Sequence, residues 1–136
     1  MRLVVDTNII LKAIIRDSRV RAILLSPNHE FYVPEYSVEE VEEHMSLLRE
    51  RTRLSEEEIR SALRILLTNI QVIPARSILT KWSEAEEIMR LIDRNDIPFV
   101  AASLSTACDG IWSDDKDLKR QRRVRIWSTS EMMRRG

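Results

Sequence analysis

The stretch Arg2-Leu3-Val4-Val5-Asp6-Thr7-Asn8 runs apolar without a break and then turns polar at once. Alternating polarity would mark a strand with one wet face. An unbroken run of Leu and Val marks a strand covered on both faces, as in a parallel sheet flanked by helices. Four more short runs read the same way: Phe31–Val33, Gln71–Ile73, Gly110–Ser113 and Val124–Trp127. Pro34 and Pro74 each follow a run directly, where a ladder donor is no longer needed.

Helical patterns fill the gaps. Residues 8–25 read as helix with a break near Asp17-Ser18. Ser37, Ser55 and Ser83 each precede a Glu by three residues, the spacing of a capping box. Asp96-Ile97-Pro98 reads as an N-cap followed by proline in the first turn. Strands alternating with helices imply a three-layer α/β/α domain on a parallel sheet of about five strands. The length, 136 residues, fits one domain spanning 1–136.

Composition narrows the function classes. Lys plus Arg and Asp plus Glu both total 22, so bulk positive charge does not direct this chain to polyanions. The single cysteine, Cys108, excludes an intrachain disulfide and fits a reducing, cytoplasmic setting. The apolar run before Asp6 is only three residues long, and no apolar run approaches the roughly 18 residues of a membrane span. No membrane partner is expected.

In a doubly wound sheet, ligands bind at the carboxyl ends of strands. Asp6 sits at such an end, and so do Asp114 and Asp115. Glu40 falls in the first turn of the helix after the second strand. Asp96 joins them if its helix starts near the same edge. Each residue also has a plainer reading: Asp6 and Asp96 as helix caps, Glu40 as capping partner of Ser37, Asp114 to Asp117 as a polar turn. Convergence of all four stations on one edge favours a shared site. Clustered carboxylates repel, and a hard divalent cation such as Mg²⁺ or Mn²⁺ relieves them through oxygen ligands. Val38, Val41, Met45 and Leu48 define a buried helical stripe. At about 100° per residue, Glu40 borders that stripe and Glu39 lies nearly opposite. Spacing alone leaves Asp115 and Asp117 unseparated.

Taken in order, these motifs resemble those of PIN-domain nucleases. The carriers are Val4-Val5-Asp6-Thr7-Asn8, Ser37-Val38-Glu39-Glu40-Val41, Asp96-Ile97-Pro98-Phe99-Val100-Ala101-Ala102 and Ile111-Trp112-Ser113-Asp114-Asp115-Lys116-Asp117-Leu118. The resemblance covers residues 2–128. It implies a metal-dependent endoribonuclease, often the VapC-type toxin of a toxin–antitoxin pair. The implied catalytic and metal-binding acids are Asp6, Glu40, Asp96 and Asp115, with Asp117 at a position that is sometimes a further acid. Asn8 and Ser113 match residues that orient the acids. Asp114 departs from the pattern, which commonly has a small residue there. RNA is the implied substrate, an antitoxin the implied partner, and a homodimer is expected.

Lys119-Arg120-Gln121-Arg122-Arg123-Val124-Arg125 holds five positive charges in seven residues directly after the last acidic motif. Lys119, Arg120, Arg122 and Arg123 are therefore candidate RNA contacts. The plain alternative is a solvated turn. Residues 30–50, with seven acids and one arginine, balance that charge and suit a protein partner equally well. Two rival functions remain. A non-catalytic PIN-like module would bind RNA or protein without turnover. A haloacid-dehalogenase-like phosphotransferase would want an acid where Asn8 stands.

Overall fold

The computed structural model describes residues 1–15 and 18–135. Its strands are β1 (Arg2–Val5), β2 (Glu30–Pro34), β3 (Ile70–Ile73), β4 (Gly110–Trp112) and β5 (Ile126–Trp127). All pair in parallel, in the order β3-β2-β1-β4-β5. Leu3 lies opposite both Phe31 and Gly110, so β1 is the central strand.

The unbroken apolar run of β1 finds cover on both faces, as a parallel sheet demands. Leu3 and Val5 point into one core, Val4 into the other. The first core packs α1 (Thr7–Ile15), α2 (Ser18–Leu24), α3 (Glu35–Glu43), α4 (Met45–Thr52), α5 (Glu56–Leu67) and α9 (Thr129–Arg135) against the sheet. The second packs α6 (Ala75–Leu79), α7 (Trp82–Met89) and α8 (Ile97–Ser105). This is the three-layer α/β/α architecture. Helix α8 is buried from Ile97 through Ser103, which explains its wholly apolar opening. Of the break expected near Asp17-Ser18, Asp17 lies outside the described residues, and Ser18 opens α2.

Of the three expected capping boxes, only Ser55 forms one: its hydroxyl accepts from Glu58 N at 3.1 Å and Glu58 Oε1 accepts from Ser55 N at 3.1 Å. At Ser37 the chain turns into α3 two residues earlier, straight from Pro34, and Ser37 is buried inside the helix. At Ser83, the bond from Ala85 N to Lys81 O starts α7 ahead of the serine. Strand β5 is shorter than expected because Gln121 captures Val124: its Oε1 accepts from Val124 N at 2.9 Å and its Nε2 donates to Val124 O at 2.8 Å. Gly110 adopts φ +140°, and an added Cβ there would collide with the Arg125 carbonyl. That carbonyl accepts from Ile111 N at 2.9 Å, so the β4–β5 pairing requires the bare backbone.

Candidate functional site

Asp6 leaves the end of β1 and is only 4% exposed. Its Oδ2 accepts from Ser113 Oγ at 2.6 Å, and Oδ1 accepts from the Asn8 backbone N–H at 3.3 Å. Ser113 follows β4, the strand beside β1, and also accepts from Asp115 N at 3.0 Å. One hydroxyl thus ties two expected acids to adjacent strand ends. Asp115 is held a second time, since its Oδ1 accepts from Asp117 N at 2.8 Å. Burial pushes the Asp6 carboxyl above its usual range, against the pull of the Ser113 and Asn8 bonds. Asp115 and Glu40 add repulsion in the same direction.

Glu40 enters from α3. Thr7 Oγ1 donates to Glu40 Oε1 at 2.6 Å and meets buried Ser37 Oγ at 2.9 Å. Glu39 is exposed while Glu40 is half-buried, as the helical stripe predicts. Tyr36, one turn before Glu40, was not singled out by sequence reasoning. Burial, and then Glu40, push its phenol up to about 12.

Asp96 occupies the position before α8, yet its side chain makes no capping bond. It turns toward the acids instead. Oδ2 of Asp96 is buried without a hydrogen-bond partner, and the side chain brings an oxygen within 4.8 Å of Asp115. Burial first, then Asp115, raises Asp96 to about 8, with Asp6 and Asp93 adding repulsion.

Asp93 is the acid that sequence reasoning missed. Oxygens of Asp93, Asp96 and Asp115 lie within 4.8 Å of one another. The available signal was its three-residue spacing from Asp96. A 3₁₀ turn over Arg94–Asp96 brings residues so spaced onto one side.

The remaining candidates stand apart from that trio. Asn8 serves Asp6 through its backbone N–H, and its side chain is exposed. Asp117 faces Arg120 at 3.8 Å. Asp114 accepts from Thr129 N at 2.8 Å and from Lys12 Nζ at 2.8 Å, capping α9. Burial works against its charge, but the Lys12 and Thr129 bonds hold the carboxyl below its usual range. In the basic run, Arg123 pairs with Glu84 at 2.9 Å, and Arg125 pairs with Glu131 at 3.1 Å while stacking over Trp127. Lys119 and Arg122 are exposed.

An all-oxygen set of carboxylates, one with a buried and unpartnered oxygen, fits a hard divalent cation well. The donor set contains no thiolate or imidazole that would favour a softer ion.

The PIN domain family model matches residues 4–135, and the chain belongs to that family. Among solved structures, the fold is similar to the VapBC2 assembly from Rickettsia felis bound to a DNA fragment from their promoter. That likeness has a TM-score of 0.72 at 19% identity, over 94% of this chain and 98% of the other. No curated protein matches the sequence at a significant level.

Proposed function

We propose that this chain is a divalent-metal-dependent endoribonuclease, acting as one unit over residues 1–136 and serving as the toxin of a type II toxin–antitoxin pair. The observation that carries the reading is the buried, unpartnered Asp96 Oδ2 beside Asp115 and Asp93. A buried carboxylate oxygen left without a donor is costly, and a cation removes that cost. Asp6, Glu40, Asp96 and Asp115, joined by Asp93, would hold Mg²⁺ or Mn²⁺. A bound ion supplies Lewis acidity, making water a better nucleophile and neutralising charge at phosphorus.

The protein's own groups prepare that site. Ser113 favours the ionised form of Asp6 and aims it; Thr7 aims Glu40; the Asp117 N–H steadies Asp115. The proton that burial and the neighbouring Asp115 favour on Asp96 must leave as a cation enters. The pocket offers no histidine or lysine hydrogen-bonded to these acids as a general base, among the described residues.

An antitoxin partner is the reading supported by family membership and by the fold shared with a VapBC assembly. A homodimer in the cytoplasm completes the proposal. No described helix is long and apolar enough to cross a membrane.

Incubation of RNA with the purified protein in Mn²⁺ or Mg²⁺ tests the reading. Cleavage should stop in chelator and in Asp6→Asn. Binding of RNA without metal-dependent turnover would point to the non-catalytic module instead.

A further inference from the structure

A groove of about 430 Å³ runs away from the acids between α1 and α4. Asp6, Asp114 and Asp115 line its acidic part. Beyond them it is lined by Lys12, His44 and Arg51, with Leu11 and Leu47 supplying apolar surface. Lys12 lies four residues past Asn8, a rise of about 6 Å along α1. Arg51 is exposed and shows no ion-pair partner among the described residues. Lys12 pairs with Asp114, which is itself fixed by Thr129. That pair engages one of three ammonium donors and leaves two. Asp114, the residue that departs from the family pattern, therefore aims Lys12 into the groove.

Resting on the nuclease reading above, we infer that this groove is the track for a single-stranded RNA backbone, with Lys12 and Arg51 holding the phosphates next to the scissile one. The charges are complementary: acids that attract a cation, then Lys12, held by Asp114, and Arg51, unpaired among the described residues, for successive phosphates. The stride from Asn8 to Lys12 is comparable to the step between neighbouring phosphates of an extended strand. Leu11 and Leu47 give ribose and base faces an apolar surface. A recess of about 430 Å³ offers room for a few nucleotides of one strand rather than for a duplex. This assigns backbone contacts to α1 and α4, not to the 119–125 loop, where two arginines are already paired with Glu84 and Glu131.

The test is fluorescence anisotropy with a labelled single-stranded RNA oligonucleotide in chelator, across a salt series. Each of Lys12→Gln and Arg51→Gln should lower the slope of log affinity against log salt by about 0.7, and the pair by about 1.4. Lys12→Arg should restore the slope. Arg64→Gln, at the far end of α5 before β3, should leave it unchanged. The Mn²⁺-induced melting shift should persist in Lys12→Gln and Arg51→Gln, separating strand binding from the acidic site. An unchanged slope in the double variant, while wild type still cleaves RNA, overturns the track and spares the nuclease reading. So does loss of the slope only in Lys119→Gln/Arg122→Gln. Equal affinity for a duplex of the same sequence overturns the single-strand assignment. A wild type that neither binds nor cleaves RNA overturns both.

Discussion

The Ser113 hydroxyl donates to Oδ2 of buried Asp6 across 2.6 Å, from the end of one strand to the end of its neighbour. The register that sets Val5 opposite Trp112 brings these two residues side by side. A carboxylate in this position is desolvated, and the hydroxyl partly offsets that cost. The same serine accepts from Asp115 N, so the geometry of both acids depends on one side chain.

Ser113→Ala should therefore act on chemistry as well as on stability. Loss of the donor should raise the Asp6 carboxyl further, moving the acid limb of metal-dependent activity to higher pH. Losing a hydrogen bond to a charged group should also cost about 1–3 kcal/mol of folding free energy. A pH–rate profile with urea unfolding measures both. An unshifted limb in a folded variant would show that Asp6 ionises independently of Ser113.

Asp96 gives the protein a pH dependence of known sign. Its folded carboxyl titrates at about 8, against an ordinary value of 3.8. Between those values the native state holds a proton that the unfolded chain releases, so metal-free stability should fall as pH rises from about 4 to about 8. Asp96→Asn should flatten that decline and melt at or above wild type near pH 8. Asn serves before a helix about as well as Asp, so the substitution costs little there. Melting curves in chelator across this range decide the matter. A parallel decline in the variant would assign the proton elsewhere.

Metal binding should follow the same proton. Affinity for Mn²⁺ should climb toward pH 8 and then level, because the ion competes with the proton on Asp96. At a hundredfold excess over Kd, Mn²⁺ should stabilise wild type by about 2.7 kcal/mol. Calorimetric titration in buffers of different ionisation enthalpy reads the released proton directly. Binding without proton release would overturn this.

Asp93→Asn and Asp117→Asn separate a residue inside the acidic trio from one outside it. The first should shrink the Mn²⁺-induced rise in melting temperature, and the second should leave most of it. Equal losses would mean that Asp117 swings inward when a cation binds.

Glu40→Gln should depress metal-dependent cleavage far more than Glu39→Gln, since only Glu40 accepts from Thr7 and faces Asp6. Rates for the two variants, measured under the same conditions, check the rotation of α3. Equal rates would mean that the helix turns a different face to the site.

Five apolar runs, their parallel pairing and the edge where the acids collect followed from local pattern, because side-chain alternation and strand–helix alternation are short-range properties of the chain. Asp6 and Asp115 were recognisable for the same reason: each stands within three residues of a strand end. The rotation of α3 was readable too, since helical periodicity fixes Glu40 relative to Val41, although the chain breaks at His44 and places Met45 and Leu48 of the expected stripe on α4. Capping was not. Ser37 and Ser55 carry the same local signal, but Ser37 is buried against Thr7, thirty residues away, and only packing diverts its hydroxyl. Asp93 and Asp114 exchanged expectations for the same reason. Asp114 sits in the acidic motif, yet Thr129 and Lys12, distant in sequence, draw it away. Asp93 carries no motif, yet the 3₁₀ turn and the seating of α8 on β1 bring it to Asp115. Charges and hydroxyls choose partners by distance in space, so local spacing could name the edge of the sheet, and only the packed chain could decide which carboxylates share it.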